Sequence, residues 1–409
     1  MKQPERLLRT AGAAVLTVVL LNAAAAAVGR PDAAASTSSS ARMPASVRTA
    51  AQDTAWDNAI ARFAAQLARD VEVDGIGSIS AAVIERGEPA WSKAFGWADR
   101  DAKRAADANT IYRVGSITKS FTAVLLALLA QDGVLGLDQP VRTHLAAVDG
   151  FADPPAEVAP ITYRQLASHT AGLIREPRLA GAAAGPFAEW EAKILASIPT
   201  TSFQSRPGTE YAYSNIGFGV LGLALRRAAG EPFPELIRKR IFAPLGMSSS
   251  TFVLTPALRA RLATGYANRR NGAIDADAPA REHDGRGYKV PNGGIYSTVG
   301  DLGRFIAGVT GTAGPEILSA ATRAEVLRVQ TPEDPRSGYG LGFQVQTLED
   351  GTRLIGHGGS VAGYTAHLLF EPTTGIGVVL LRNYASGETN LGGAARTVLR
   401  ALLAARRRG

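Results

Sequence analysis

The sequence contains no cysteine in 409 residues. This absence excludes disulfide bonds, a thiolate nucleophile, a cysteine metal site and a lipid-modified cysteine at the end of a leader. Histidine is scarce, with five in the chain, and the four at His144, His169, His283 and His367 show no metal-ligand spacing. We therefore expect neither a bound metal nor another cofactor.

Lysine is also rare, with seven against 37 arginines, although the net charge is +8. Much of the positive charge lies at the two ends, in a basic leader and in the terminal Arg406-Arg407-Arg408. Between them we find no basic stripe interleaved with aromatic residues, the pattern of a nucleic-acid interface. We predict no nucleic-acid partner, and we expect the basic tail to lie on a solvated surface that can contact anionic envelope polymers or lipid.

Residues 1–29 have the pattern of a signal peptide for export. A basic start precedes an apolar run over 11–21, and small residues suited to cleavage follow over 23–27. An uncleaved anchor is the alternative, because residues 11–29 are just long enough to span a bilayer. Alanine in place of leucine in the second half favours cleavage. We predict an exported protein, periplasmic or secreted, with no stable membrane anchor after leader removal.

The rest of the chain divides into a flexible linker over 30–52, rich in alanine, serine and threonine, and a folded domain over 53–409. Strand patterns at both ends and helix patterns between them predict an α+β (αβα) fold. One antiparallel sheet is built from both chain ends and flanked by helices, and a mostly helical second lobe covers about 116–290. A crevice between lobes is the usual place for a site. The predicted elements are a helix that begins at Asp53 or Thr54, the strands Ser78–Ile84, Ala90–Trp97, Leu341–Leu348, Thr352–Ile355, Tyr364–Phe370 and Ile376–Leu381, and the helices Asn215–Ala229, Pro234–Phe242 and Leu391–Ala405.

The most informative motif is Ser116-Ile117-Thr118-Lys119, at the start of a long apolar helix. Residues three apart share a helix face, so the hydroxyl and the amine can meet. The helix N-terminus favours the negative charge of an attacking serine, and burial lowers the pKa of a lysine so that it can accept a proton. Taken alone, the spacing also fits a capping serine followed by a lysine that extends to solvent.

A second motif is Tyr213-Ser214-Asn215, placed just before a predicted helix. From one turn, a phenol and an amide can both point into a cleft. The phenol can relay a proton if a neighbouring ammonium lowers its pKa, and the amide can hold both a substrate carbonyl and the lysine. An aromatic strand end with an N-capping asparagine is the plain structural alternative.

The third motif, His357-Gly358-Gly359-Ser360, lies at the end of a predicted strand. The glycines allow a substrate backbone to lie against the strand edge. The backbone N–H groups of Ser360 and Ser116 are candidates for an oxyanion hole. A glycine-rich hairpin with an incidental histidine is the alternative.

These three motifs, in this order, resemble the class C β-lactamase-like serine hydrolases, relatives of the enzymes that carry Ser-x-x-Lys with Ser-Asp-Asn and Lys-Thr-Gly. The group includes D-alanyl-D-alanine carboxypeptidases, D-aminopeptidases and β-lactamase-like esterases. The resemblance covers about residues 55–405 and implies the fold of β-lactamases and penicillin-binding proteins. Four further segments carry it: Val114–Phe121, Leu166–Leu173, Pro244–Met247 and Gly293–Thr298.

The resemblance implies a role for each matching residue. Ser116 is the acylated nucleophile, and Lys119 and Tyr213 share proton transfer, with the base left open between them. Asn215 orients the acyl side chain. Three more residues are expected to bind substrate, namely His357, which takes the place of a lysine in many relatives, and Gly359 and Ser360 beside it. His169 is expected to be structural.

Two departures from the family pattern bear on the substrate. His357 replaces a permanently charged lysine, and Gly358 lacks the hydroxyl that often meets a substrate carboxylate in relatives, although Ser360 can compensate in part. Both weaken the case for an efficient β-lactamase. We therefore expect a hydrolase of D-residue peptides, cell-wall peptides among them, or of small esters and amides. The alternatives are a class C-like β-lactamase and a slowly acylating binding or sensor protein.

Overall fold

The sheet predicted from both chain ends is present in the computed structural model, which describes residues 50–156, 159–268 and 273–407. Eight strands form an antiparallel sheet in the order β3-β2-β1-β12-β11-β10-β9-β8, and two pairs, β4 with β7 and β5 with β6, stand apart. The strands are β1 (Ser78–Glu85), β2 (Glu88–Asp99), β3 (Arg104–Ala105), β4 (Tyr112–Arg113), β5 (Ala267–Asn268), β6 (Ile274–Asp275), β7 (Tyr296–Ser297), β8 (Ser337–Tyr339), β9 (Gln344–Thr347), β10 (Arg353–Val361), β11 (Tyr364–Phe370) and β12 (Gly377–Arg382).

The first strand of the chain, β1, pairs with the last, β12, in the middle of the sheet. β1 pairs with β12 from Ile79 opposite Arg382 to Ile84 opposite Gly377. All of β12 and nearly all of β1 are buried, because helices cover both faces of the sheet. The pairing therefore closes the fold across almost the whole length of the described chain.

Helices α1 and α12 cover one face of the sheet, and α10 packs against the other. The helices are α1 (Ala50–Asp74), α2 (Thr118–Gln131), α3 (Tyr163–Ala167), α4 (Trp190–Ser197), α5 (Asn215–Ala229), α6 (Phe233–Ile237), α7 (Pro256–Ala260), α8 (Asp277–Arg281), α9 (Val290–Gly293), α10 (Val299–Thr310), α11 (Ala320–Leu327) and α12 (Leu391–Arg407). Helix α1 buries Trp56, Phe63 and Leu67 at helical spacing, in a core shared with α12. The αβα prediction is confirmed.

The structure corrects several predicted boundaries. Strand β10 continues to Val361, beyond the predicted end at Ile355, and helix α6 ends at Ile237 rather than at Phe242. Helix α1 begins at Ala50, inside the predicted linker and before either predicted start. The signal peptide over 1–29 and the rest of the linker, up to residue 49, lie outside the described residues. Within the described part of the chain, no helix has the length and apolar character needed to cross a bilayer. The described residues belong to one compact unit.

The middle of the chain packs helices around α2. Its buried residues lie on every side of the helix, from Thr118 to Leu129. Helix α5 approaches α9 closely at Gly222, where an added Cβ would lie 2.3 Å from Cβ of Pro291. A glycine at this position therefore allows α9 to pack directly on α5, and both helices carry residues of the candidate site.

We predict that Gly222→Ala destabilises the protein, because the proline ring has little freedom to move away from a new methyl group. Overpacking of this kind costs about 1–3 kcal/mol, and urea unfolding measures it. Gly300→Ala is the matched control, since a Cβ at this α10 position meets nothing within 4 Å. Equal stability of the two variants would contradict the close approach of α5 and α9.

Candidate active site

Ser116 stands in a single 3₁₀ turn, Gly115–Ile117, immediately before α2. The α-helix therefore begins two residues later than the motif suggests. Gly115 has a φ of +52°, and a Cβ there would lie 2.7 Å from the backbone nitrogen of Ser360. Only glycine combines this conformation with this contact, so the turn that carries the serine lies directly against β10.

Lys119 lies one helical turn later and is completely buried. Its Nζ is 3.1 Å from Oγ of Ser116, 2.7 Å from Oδ1 of Asn215 and 3.3 Å from the carbonyl oxygen of Asn292. Burial lowers the pKa of Lys119 well below its ordinary value, while the charge of Glu176 opposes the shift.

Three acceptors also suit an ammonium, but burial favours the neutral amine, and the contacts fit that form as well. An uncharged amino group has two N–H donors and one lone pair. The oxygens of Asn215 and Asn292 can only accept, so they take the two N–H groups. The lone pair is left for the hydroxyl proton of Ser116. In that form Lys119 can act as a base for the serine.

Asn215 is the first residue of α5, which Ser214 caps by accepting the N–H of Gly217. Its Oδ1 accepts from Lys119, and its Nδ2 donates to Oε1 of Glu176 at 2.5 Å. The amide thus links the buried amine to a carboxylate at the surface.

Sequence reasoning missed Glu176 and Asn292, although signals lay nearby. Nδ2 of Asn292 donates to the backbone oxygen of Asn215 at 3.0 Å, which joins α9 to α5 at the site. Asn292 immediately precedes the recognised segment Gly293–Thr298, and Glu176 follows Leu166–Leu173 by three residues. Each therefore adjoins a segment that had already been matched to the family.

The ring of Tyr213 lies close to the amine of Lys119 and to the guanidinium of Arg175. Nζ of Lys119 and Cζ of Arg175 each lie 4.8 Å from the ring centre. Burial raises the pKa of the phenol above its ordinary value, and a hydrogen bond with Ser116 opposes that shift only in part. The lowered pKa under which the phenol could relay a proton as a base is therefore not found. The phenol is protonated at neutral pH and acts as a donor, which favours Lys119 as the base.

His169 supports the turn that carries Tyr213. It is buried with a φ of +60°, its Nδ1 accepts the backbone N–H of Ser214 at 3.0 Å, and its ring centre lies 4.1 Å from that of Tyr213. Burial lowers the pKa of His169 well below its ordinary value. These contacts agree with a structural role.

His357 is also buried and neutral. Its Nδ1 lies 2.5 Å from the carbonyl oxygen of Gly358, so this nitrogen carries the proton. Its Nε2 then accepts from the hydroxyl of Tyr339 at 2.8 Å. Burial lowers the pKa of His357 to about 3. The ring supplies no positive charge near neutral pH, and both nitrogens bind protein groups, so its contact with substrate stays a prediction.

The strand edge at Gly359 and Ser360 faces the serine turn. Strand β9 pairs with β10 only over Arg353–Gly356, whereas β11 continues to Val361. A Cβ at Gly359 would lie 3.3 Å from the backbone nitrogen of Ser116, and Ser360 is exposed. The two predicted oxyanion amides therefore belong to segments in direct contact, although their joint role stays a prediction.

A cavity of about 830 Å³ opens beside this network. Its walls come from two chain segments, and Glu176 is part of its lining. Within the described parts of the chain, no group of three or more histidine, aspartate or glutamate residues is arranged to hold a metal ion. The lining residues are Glu176, Pro177, Leu179, Gly181–Pro186, Ala278, Arg281, Glu282, Asp284, Gly285 and Tyr288.

Comparison with known proteins agrees with this geometry. The family model described as Beta-lactamase matches residues 60–403. The chain belongs to the beta-lactamase family. It is 27% identical over 288 residues to D-alanyl-D-alanine-carboxypeptidase/endopeptidase AmpH of Escherichia coli K12, covering 67% of this chain and 71% of that protein.

Some relatives extend well beyond the region that this chain matches. Beta-lactamase-like protein 4 of Dictyostelium discoideum is 27% identical over 323 residues, 73% of this chain, but the match spans only 55% of that protein. Among solved structures, the octameric penicillin-binding protein homologue from Pyrococcus abyssi aligns with a TM-score of 0.70 at 25% identity, over 84% of this chain and 77% of that one. The predicted fold of β-lactamases and penicillin-binding proteins is thus confirmed.

The state of Lys119 predicts the pH dependence of turnover. Only the neutral amine accepts a proton, so kcat/KM should rise with pH through the lowered pKa of Lys119 and level off well below the ordinary titration range of lysine. Glu176→Gln removes a charge that favours the ammonium, so its acid limb should move to lower pH. A pH profile of kcat/KM on an uncharged ester measures both, and a limb that moves upward in the variant would contradict the assignment.

Proposed function

We propose that this chain is an exported serine hydrolase that acts through an acyl-serine intermediate on D-residue peptides or on small esters and amides. The contact between the buried Lys119 amine and the Ser116 hydroxyl, 3.1 Å apart, carries the proposal. Export rests on the pattern of residues 1–29, and N-terminal sequencing of exported material tests it.

The proposed reaction follows the proton of Ser116 to Lys119 and then to the leaving group. Oγ of Ser116 attacks the substrate carbonyl carbon while its proton passes to Nζ of Lys119. The ammonium so formed returns the proton, directly or through the phenol of Tyr213, to the leaving nitrogen or oxygen, and the bond to that atom breaks. Water then adds to the acyl carbon by the same route, and the Ser116 oxygen leaves with its proton restored.

The surroundings of His357 support substrates without a carboxylate, such as small esters and amides, over β-lactams. Substrates of β-lactamases carry a carboxylate, and a permanent positive charge at this position would attract it. Here the ring is neutral near pH 7 because burial lowers its pKa to about 3, and Gly358 adds no hydroxyl. The similarity to AmpH, a D-alanyl-D-alanine-carboxypeptidase/endopeptidase by name, is a separate support for D-residue peptides.

We predict that Ser116→Ala loses nearly all turnover while staying folded, because the hydroxyl is the nucleophile. Lys119→Ala should lose a comparable amount, since the nucleophile and its base act as a unit. A panel of D-alanyl peptides, p-nitrophenyl esters and a cephalosporin measures the rates, with circular dichroism as the folding control. A cephalosporin hydrolysed far faster than every peptide and ester would overturn the proposed substrate order.

A binding or sensor protein is the second candidate, because a slow acyl-serine can also serve as a signal. We predict that a fluorescent penicillin labels the wild type at Ser116 and is released over time. Mass spectrometry of the intact protein follows both steps, and Ser116→Ala is the unlabelled control. A permanent adduct, with no turnover of any panel substrate, would favour the sensor.

A further inference from the structure

Arg175 brings a permanent positive charge to the ring of Tyr213. Its guanidinium carbon lies 4.8 Å from the ring centre, and an arginine stays protonated at every pH at which the protein is folded. Nζ of Lys119 is equally close, but burial favours its neutral form. Burial also lowers the pKa of His169 and of His357, the two imidazoles beside this ring. Among the described residues, Arg175 is therefore the one permanent cation in contact with the phenol ring.

No close ion pair neutralises the Arg175 side chain. Its Nε lies 3.8 Å from Oε1 of Glu176, which exceeds hydrogen-bond distance. That oxygen already accepts from Nδ2 of Asn215. The Arg175 side chain is 66% exposed, so solvent and salt screen its charge in part. The guanidinium thus keeps a moderate electrostatic effect on the ring that it covers.

The backbone on either side of this guanidinium holds the turn that carries Tyr213. The carbonyl oxygen of Arg175 accepts the N–H of Asn215 at 2.8 Å, and the carbonyl oxygen of Ile174 accepts the hydroxyl of Ser214 at 2.8 Å. Both acceptors belong to the main chain. A substitution of the Arg175 side chain therefore leaves these bonds in place and removes only the cover on the ring.

The phenol gains negative charge at one step of the proposed reaction. When the bond between the acyl carbon and the leaving atom breaks, its electron pair goes to that atom, which takes the proton of the Tyr213 phenol. The phenolate so formed recovers a proton from the Lys119 ammonium, which holds the proton taken from Ser116. A cation within about 4–6 Å favours the charged form of an acid. Arg175 is placed to do this for the phenolate.

We propose that Arg175 is a positioning residue for the departure of the leaving group, which holds the Tyr213 ring and offsets the charge that the phenol gains on giving up its proton. The inference rests on the proposed acyl-serine function and narrows its substrate class. Such help matters where the leaving atom must be protonated, as in an amide or a peptide bond. It adds little for an activated ester, whose leaving anion is stable. The site is therefore suited to amides and peptides above activated esters.

The test compares two substrates that share one acyl group, N-acetyl-D-alanine p-nitroanilide and N-acetyl-D-alanine p-nitrophenyl ester. The anilide nitrogen must gain a proton to leave, whereas p-nitrophenolate leaves as an anion. We expect Arg175→Gln to lower kcat/KM for the anilide about tenfold and that for the ester by less than about twofold, because a screened charge controls only part of what proton transfer contributes. Because kcat/KM reports the steps up to acylation, hydrolysis of the shared acyl-enzyme does not enter. The values are compared on the high-pH plateau, where Lys119 is neutral in every variant.

Three further variants separate this role from a merely structural one. Arg175→Lys keeps the charge and should retain part of the anilide rate that Arg175→Gln loses. Arg178→Gln removes an exposed arginine three residues further along the chain and should leave both rates within about twofold. In a Tyr213→Phe background, Arg175→Gln should change neither rate further, because the group through which it acts is absent.

Four results would show that this inference is wrong while the hydrolase proposal stands. They are a wild type that hydrolyses the ester but not the anilide, an Arg175→Gln variant that slows both substrates equally or neither, an Arg175→Lys variant no faster on the anilide than Arg175→Gln, and a further loss of the anilide rate in the Tyr213→Phe background. If the wild type hydrolyses neither compound nor any other ester or amide, the proposed function itself fails.

Discussion

The buried amine of Lys119 is the constraint on which the active site depends. A lysine in this position has lost its hydration, and the groups around it accept hydrogen bonds without compensating a full charge. The neutral form is therefore favoured, and its lone pair has one remaining neighbour, the hydroxyl of Ser116. The other residues of the site either position Lys119 and Ser116 or are expected to bind the substrate.

The fold holds the pair with elements that are far apart in sequence. Helix α2 carries Lys119 and is buried on all sides, α5 supplies Asn215, and α9 supplies the carbonyl of Asn292. The sheet contributes β10, whose glycines lie against the serine turn. Because these contacts join residues between 115 and 360, the reactive geometry forms only when segments far apart in the chain have folded together.

Local patterns predicted local structure well. Helix α5 and strand β11 have the predicted bounds, and the spacing of Ser116 and Lys119 placed both on one side of a turn. Contacts between residues far apart in the chain could not be predicted from these patterns. His357 pairs with a hydroxyl on β8, and burial raises the pKa of the Tyr213 phenol; neither effect can be predicted from local sequence. Glu176 became visible only once Asn215 linked it to the lysine.

The most direct test is the titration of Lys119 itself. With seven lysines in the chain, ¹³Cε NMR resonances can be assigned by comparison with Lys119→Arg. The account predicts that the Lys119 signal titrates well below the value of about 10.4 for a free lysine. A Lys119 pKa at or above that value would show a permanent ammonium beside Ser116 and would contradict its role as the base.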